Sequence, residues 1–158
     1  MKNKTILNII LFISIFALGS AYFIEYILGH QPCNLCLIER LPYFFAVIII
    51  SLGLFLGRFE KFIFISLCLI FASASILSLY HVGIEQGFFK ESLVCISNDE
   101  INSLNKEDLM KELQKKVVSC KDVQFTLLGL SLATINTIIS FILSVITFKH
   151  FLNYEKNK

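Results

Sequence analysis

Four long apolar runs dominate the chain, at positions 6–28, 41–57, 62–80 and 125–148. Each is close to the roughly 20 residues that carry a helix across the hydrocarbon of a bilayer. Glu25 is the one acidic or basic residue inside any of them, and it sits near the end of its run. None of the runs has the polar face that a buried helix of a soluble protein turns to water. The pattern therefore predicts an all-α membrane protein: a single domain whose four transmembrane helices form a bundle. Two segments separate helices on one side, a short one at 29–40 and a long one at 82–124. Within the long segment, NKEDLMKELQKKV places Leu109, Leu113 and Val117 four apart, with Met110 beside them. Asn105 can cap a helix there, Glu107 and Asp108 suit its first turn, and Lys115 and Lys116 suit its last. A short amphipathic helix is expected in this second outer loop, on the membrane surface or packed on protein.

Composition agrees. The 158 residues are 56% hydrophobic and include 16 Phe and only two Pro, and mean hydropathy is +0.73. A globule this small has too little interior to hide that much apolar surface. The net charge of +2, without a basic patch interleaved with aromatics, excludes a nucleic-acid binder. Lys2 and Lys4 followed by an apolar run and Gly19-Ser20-Ala21 offer a rival reading as a cleavable signal peptide. The run continues past that site to Leu28, so the first segment is read as a retained span. Lys2, Lys4, Arg58, Lys61, Lys149, Lys156 and Lys158 fall on one side of the four spans, and the short segment opposite carries Arg40 alone. By the positive-inside rule both termini are cytoplasmic, and the lysine-rich long loop crosses regardless because of its length.

That orientation puts Cys33, Cys36, Cys95 and Cys120 on the outer side and leaves Cys68 inside a span, as a small packing residue. Outside a bacterial plasma membrane thiols tend to be oxidised, so two disulfides can form. The pair in HQPCNLCLIERLPYFF lies where the second span begins. A helix starting there would bring its N-terminal dipole to the Cys36 thiol and favour the thiolate. Arg40, four residues on, would present a permanent cation to the same face, although Pro42 cannot donate to the Ile38 carbonyl and would loosen that turn. Two blander readings compete: a structural disulfide, and half of a four-cysteine zinc site. Zinc knuckles pair cysteines at close spacing, whereas Cys95 and Cys120 lie far apart, so no metal is expected. Glu39 and Glu85 read as ordinary interface or surface carboxylates, and Tyr43, Phe44 and Phe45 as lipid or packing aromatics.

The run QPCNLCLIER resembles the signature of the DsbB family of inner-membrane disulfide-bond formation proteins. The likeness continues through YHVGIEQGFF at 80–89 and CKDVQFTLLGLSLATIN at 120–136, so it covers nearly the whole chain. The resemblance implies an electron path from a periplasmic DsbA-like thioredoxin-fold oxidase to the Cys95–Cys120 disulfide, then to Cys33–Cys36, then to a membrane quinone (ubiquinone or menaquinone). DsbA-type oxidases, at about −120 mV, need so strong an acceptor. It also implies residue roles. Cys36 contacts the quinone and Cys33 is its partner. Cys95 is the accessible sulfur attacked by the oxidase, with Cys120 its mate. Arg40 assists quinone binding and His81 borders it.

The sequence leaves three rivals open: a vitamin K epoxide reductase-like enzyme, a membrane thiol reductant working outward, and a non-catalytic membrane scaffold braced by disulfides. In the first the loop cysteines would precede the C-x-x-C, the reverse of the order here. The second needs an inner thiol donor, and Cys68 has no visible partner.

The topology gives a direct test. Alkaline phosphatase fused at Gln31 or Asn105 should be active, and fused at Arg58 or the C-terminus inactive. Activity at Arg58 would overturn the orientation.

Overall fold

The computed structural model describes residues 2–56, 60–90, 95, 119–121, 125–127 and 129–156. Within them lie five helices, α1 (Lys2–Tyr26), α2 (Asn34–Ile38), α3 (Leu41–Leu56), α4 (Glu60–Glu85) and α5 (Leu132–Lys156), and two short strands, β1 (Thr126–Leu127) and β2 (Leu130–Ser131). Four segments are long and apolar enough to cross a membrane: Lys4–Tyr26, Asn34–Phe55, Lys61–Glu85 and Leu132–Asn153. Mostly helical, with little strand, the architecture is that of a four-span membrane protein. The amphipathic helix expected from Asn105 and the cation Arg58 lie outside the described residues.

Two helix ends differ from the hydrophobic pattern, and each difference has a local cause. The third run ends at Tyr80, but α4 continues to Glu85 and carries His81 and Glu85 on the helix rather than in a loop. It stops where Gly87 adopts φ +78°. There the Phe88 N–H returns to the Gly83 carbonyl and the Gly87 N–H to that of Ile84, a closure that only a left-handed residue permits easily. The fourth run begins at Phe125, but α5 starts only at Leu132. The residues before it form an antiparallel hairpin, with Thr126 opposite Ser131 and Leu127 opposite Leu130. Gly129, at φ +82°, makes its turn. The Ser131 hydroxyl then accepts the Thr134 N–H and caps α5.

The bundle is apolar outside as well as inside. Phe12, Phe16, Phe55, Leu69, Ile76 and Phe141 are all more than half exposed, a surface that suits acyl chains and not water. Inside, Leu7, Ile10, Tyr43, Ala46, Ile50, Ile63, Phe64, Leu67, Phe71 and Leu143 form the core. Buried hydroxyls find partners on the helices themselves: Ser14 on the Ile10 carbonyl and Thr147 on that of Leu143. Ser78 donates across the interface to Ala133 at 2.8 Å, where small residues let α4 and α5 approach.

Gly53 of α3 faces α4 so closely that an added Cβ would overlap Cδ1 of the buried Ile63. Gly53→Ala should therefore lower stability in detergent by about 1–3 kcal/mol through overpacking. Ile63→Val, which removes that methyl, should recover most of the loss in the double variant. Simple additivity of the two substitutions would show that the helices do not meet there.

Candidate functional site

The outer end of the bundle is built around the segment where Pro42 is expected to loosen the start of the second span, and the helix breaks there. α2 ends at Ile38, a turn holds Glu39 and Arg40, and α3 starts at Leu41. Pro42 cannot donate to the Ile38 carbonyl, and the break falls where that bond is missing. Two consequences correct the expectation for the thiols. Cys33, not Cys36, is the capping residue of α2, and its sulfur accepts the Cys36 N–H at 3.2 Å. Arg40 is paired with Glu25 of α1 at 2.5 Å and lies over the Tyr22 ring at 5.0 Å. Its cation is thus engaged with α1 and is not stacked above the Cys36 thiol on one helix face.

From Cys33 a chain of polar contacts runs inward. Its Sγ lies 3.6 Å from His81 Nε2, and His81 Nδ1 lies 2.8 Å from Glu39 Oε1. A carboxylate oxygen can only accept, so Nδ1 carries the proton and Nε2 is left to exchange one with Cys33. Asn136 donates to Glu39 Oε2 at 2.9 Å and accepts from the Tyr43 hydroxyl at 2.5 Å. Tyr43 in turn meets the Ser140 hydroxyl at 2.9 Å. Glu85, one turn beyond His81, places Oε1 4.0 Å from Nε2. This network ties α2, the following turn, α3, α4 and α5 to one point. Hydrogen bonding from the Cys36 thiol, helped by His81 and the Cys36 N–H, outweighs burial and holds the Cys33 thiol down at about 5.

Cys95 and Cys120 are joined in a disulfide. Both are buried, and they share one apolar cluster with Cys33, Leu35 and Ile84. Cys95, the sulfur expected to be attacked by the partner, is 3% exposed in this disulfide-bonded arrangement. Their bond also removes the four-cysteine zinc reading, since neither sulfur is free to ligate. Below the cluster opens a cavity of about 850 Å³, lined by Cys33, Cys36, Cys120, His81 and Arg40, and by apolar side chains of α1, α5 and the hairpin. His30 of the short loop packs against Phe125, which also lines the cavity, with the rings tilted and 5.4 Å between their centres.

Of the residues singled out from sequence, Cys33, Cys36, Cys95, Cys120, Arg40 and His81 all come to this one end of the molecule. Glu39 and Glu85, expected as ordinary interface or surface carboxylates, are both enclosed: Glu39 is buried against His81, and the Glu85 side chain is 7% exposed. Asn136, Ser140 and Glu25 went unrecognised. The available signal was polarity within spans, since intramembrane polar groups face the bundle interior and pair there. Asn136 and Ser140 are four apart, on one face of α5.

Apolar spans enclosing a cavity whose walls hold a dithiol and a disulfide define a membrane thiol–disulfide protein. The family model described as disulfide bond formation protein DsbB matches residues 3–149. The chain is also similar to the uncharacterized protein RP370 of Rickettsia prowazekii (strain Madrid E), 32% identical over 143 residues that cover 89% of this chain and 83% of that protein. The chain belongs to the DsbB family, multi-pass membrane proteins of disulfide bond formation with disulfide oxidoreductase activity.

The depressed Cys33 thiol yields a measurable consequence. An unperturbed thiol loses its thiolate as pH falls through about 8.5. Because Cys33 is shifted downward, its thiolate should persist through neutrality and disappear only as pH falls through about 5. The ultraviolet thiolate band of the reduced protein reads this directly, and His81→Ala, which removes one of the stabilising donors, should move the midpoint upward. A wild-type midpoint in the ordinary thiol range would refute the assignment.

Proposed function

We propose that this protein reoxidises a periplasmic DsbA-like oxidase and passes the electrons to a membrane quinone. It would act in the bacterial inner membrane with both termini cytoplasmic. The observation that carries the reading is the convergence of both cysteine pairs: Cys33, Cys36 and Cys120 line one apolar cavity, and Cys95 is bonded to Cys120 at its edge. Two electrons entering the Cys95–Cys120 disulfide from a partner dithiol leave the partner oxidised. Transfer onward to Cys33–Cys36 restores the Cys95–Cys120 bond and yields the arrangement described, with free thiols at 33 and 36. Since Cys95 is buried, partner attack requires it to leave the cluster first, and exchange with Cys33 is favoured when it returns.

A quinone would supply the two-electron acceptor, and the cavity suits one. Its volume is that of a typical ligand pocket, its lining is mainly apolar, and its polar groups collect near Cys36, His81 and Arg40. His81, oriented by Glu39, can take the Cys33 proton. Cys36, which also lines the cavity, is the sulfur assigned here to contact the acceptor. Arg40 offers fixed donors to a carbonyl oxygen that gains charge on reduction. The Arg40–Glu25 pair keeps that cation in the cavity wall without stranding a charge in the bilayer.

Anaerobic mixing of the purified protein with reduced DsbA-type oxidase and ubiquinone or menaquinone should produce quinol in proportion to oxidised partner. Failure of every quinone to accept electrons, with partner oxidation intact, would overturn the acceptor. Within that assay Arg40→Ala loses a charge-assisted hydrogen bond of about 1.5–3 kcal/mol, which corresponds to roughly a 10- to 150-fold rise in apparent quinone KM. Arg40→Lys keeps charge but not the planar fork and should fall between. Because Arg40→Ala also orphans Glu25, the Arg40→Ala/Glu25→Gln variant is measured beside it and should show the same KM defect. Partner oxidation in a single turnover should be unchanged, and a slowed partner step with normal quinone KM would assign Arg40 to the fold instead.

A further inference from the structure

The thiols of Cys33 and Cys36 are not alone at the outer end of the cavity. With His81 they place three soft or borderline donor atoms within 4.8 Å of one another. We propose that the reduced protein binds a thiophilic divalent cation of the zinc class at Cys33, Cys36 and His81, with Glu85 on the fourth side. The spacing suits the ion. Bonds of about 2.3 Å to sulfur and about 2.0–2.1 Å to nitrogen, at tetrahedral angles, hold a sulfur and a nitrogen about 3.5 Å apart and two sulfurs about 3.8 Å apart. Cys33 Sγ and His81 Nε2 are already 3.6 Å apart. The remaining donor pairs, within 4.8 Å of one another, need to close by at most about 1.0 Å between the sulfurs and about 1.3 Å between Cys36 sulfur and the His81 nitrogen, within the reach of a side-chain rotation.

Two further features point the same way. A ligating histidine usually gives its other ring N–H to a carboxylate, which fixes the tautomer and aims the free nitrogen. His81 does this with Glu39 at 2.8 Å, and Asn136 anchors Glu39 from behind. Independently, the Glu85 side chain is only 7% exposed, its Oε1 lies 4.0 Å from His81 Nε2, and its buried Oε2 has no hydrogen-bond partner among the described residues. A buried carboxylate oxygen without a donor is costly, and an ion held by this carboxylate beside His81 would lower that cost. All four residues line the cavity, so the ion has a path of entry. Two thiolates and the Glu85 carboxylate outweigh the divalent charge by one, against three buried anions without the ion, so a cation is favoured there, and binding releases the thiol protons to solvent.

The site exists only while both sulfurs are reduced, because a Cys33–Cys36 disulfide offers no thiolate. Occupancy would hold the pair as a dithiolate and keep it from forming that disulfide. This consequence, unlike the site, rests on the electron path proposed above. Hard cations such as Mg²⁺ and Ca²⁺ should not compete, since the donor set is sulfur and imidazole.

The test uses Co²⁺ as a spectroscopic probe on the full chain in detergent. The Cys95→Ser/Cys120→Ser background removes the loop thiols, and the protein is reduced anaerobically and freed of reductant. One equivalent of Co²⁺ should give sulfur-to-cobalt charge-transfer bands and intense tetrahedral ligand-field bands, abolished by Zn²⁺ and absent from protein oxidised at Cys33–Cys36. Glu39→Gln should weaken binding roughly 10- to 100-fold, as loss of an outer hydrogen-bond partner does. Cys33→Ser and His81→Ala should abolish the tetrahedral spectrum while the protein remains monodisperse, and Cys68→Ser should leave it unchanged. A reduced protein with no tetrahedral spectrum, or a spectrum that survives both Cys33→Ser and His81→Ala, would overturn the site. The spectrum is read without quinone or partner oxidase, so its failure and that of the electron path are separate results.

Discussion

A carboxylate and an imidazole 2.8 Å apart inside an apolar bundle have no water to turn to, so Glu39 and His81 depend on each other. Everything polar at the outer end follows from that contact. Glu39 fills its second oxygen with Asn136, Asn136 fills its own with Tyr43, and Tyr43 reaches Ser140. His81 turns its remaining nitrogen to Cys33. Removing one member of a buried charged pair typically costs about 3–5 kcal/mol, because the other is left unpaired. The contact therefore positions the thiols and α5 together, and a protein that keeps one arrangement must keep the other.

The same constraint explains how the cysteine pairs come to share a wall. Backbone groups in a bilayer must be satisfied internally, and irregular chain is tolerated only where protein buries it or a cavity receives it. The break between α2 and α3, the end of α4 and the hairpin before α5 are three such irregularities, all at one end. Each is closed by a specific device: a turn at Glu39 and Arg40, a left-handed glycine at Gly87, and a serine cap at Ser131. Between them they leave the cavity, and the Cys95–Cys120 disulfide packs over Cys33 at its edge. The two cysteine pairs thus meet where the helices end and not in their middle.

Arg40 illustrates how a break in a helix can send a side chain to partners that sequence spacing does not suggest. Its permanent charge and planar donors suit an electron-accepting carbonyl. Helical spacing alone, however, assigned it to the Cys36 thiol, and the turn after Ile38 sends it to Glu25 and Tyr22 on α1 instead. Glu25, the single charge inside the apolar runs, is explained by the same pair. The low thiol then belongs to Cys33, whose sulfur caps α2 and faces His81.

Hydrophobic patterning by itself determined that the chain has four membrane-crossing segments, because a continuous apolar stretch near bilayer length has no other stable environment. Residue spacing and the DsbB resemblance together marked Cys33, Cys36, Cys95, Cys120, Arg40 and His81, and all six lie at one end of the bundle. Helix ends within apolar sequence were not legible, since α4 past Tyr80 and the hairpin before Leu132 depend on backbone conformation at Gly87 and Gly129, which hydropathy does not encode. Nor was the pairing of Glu39 with His81, of Arg40 with Glu25, or of Asn136 with Tyr43. These partners lie on different helices, far apart in sequence, and a lone polar residue does not reveal which neighbour will satisfy it. Only packing the helices decides that, because inside a membrane each buried polar group must take whichever partner the bundle brings within hydrogen-bond reach.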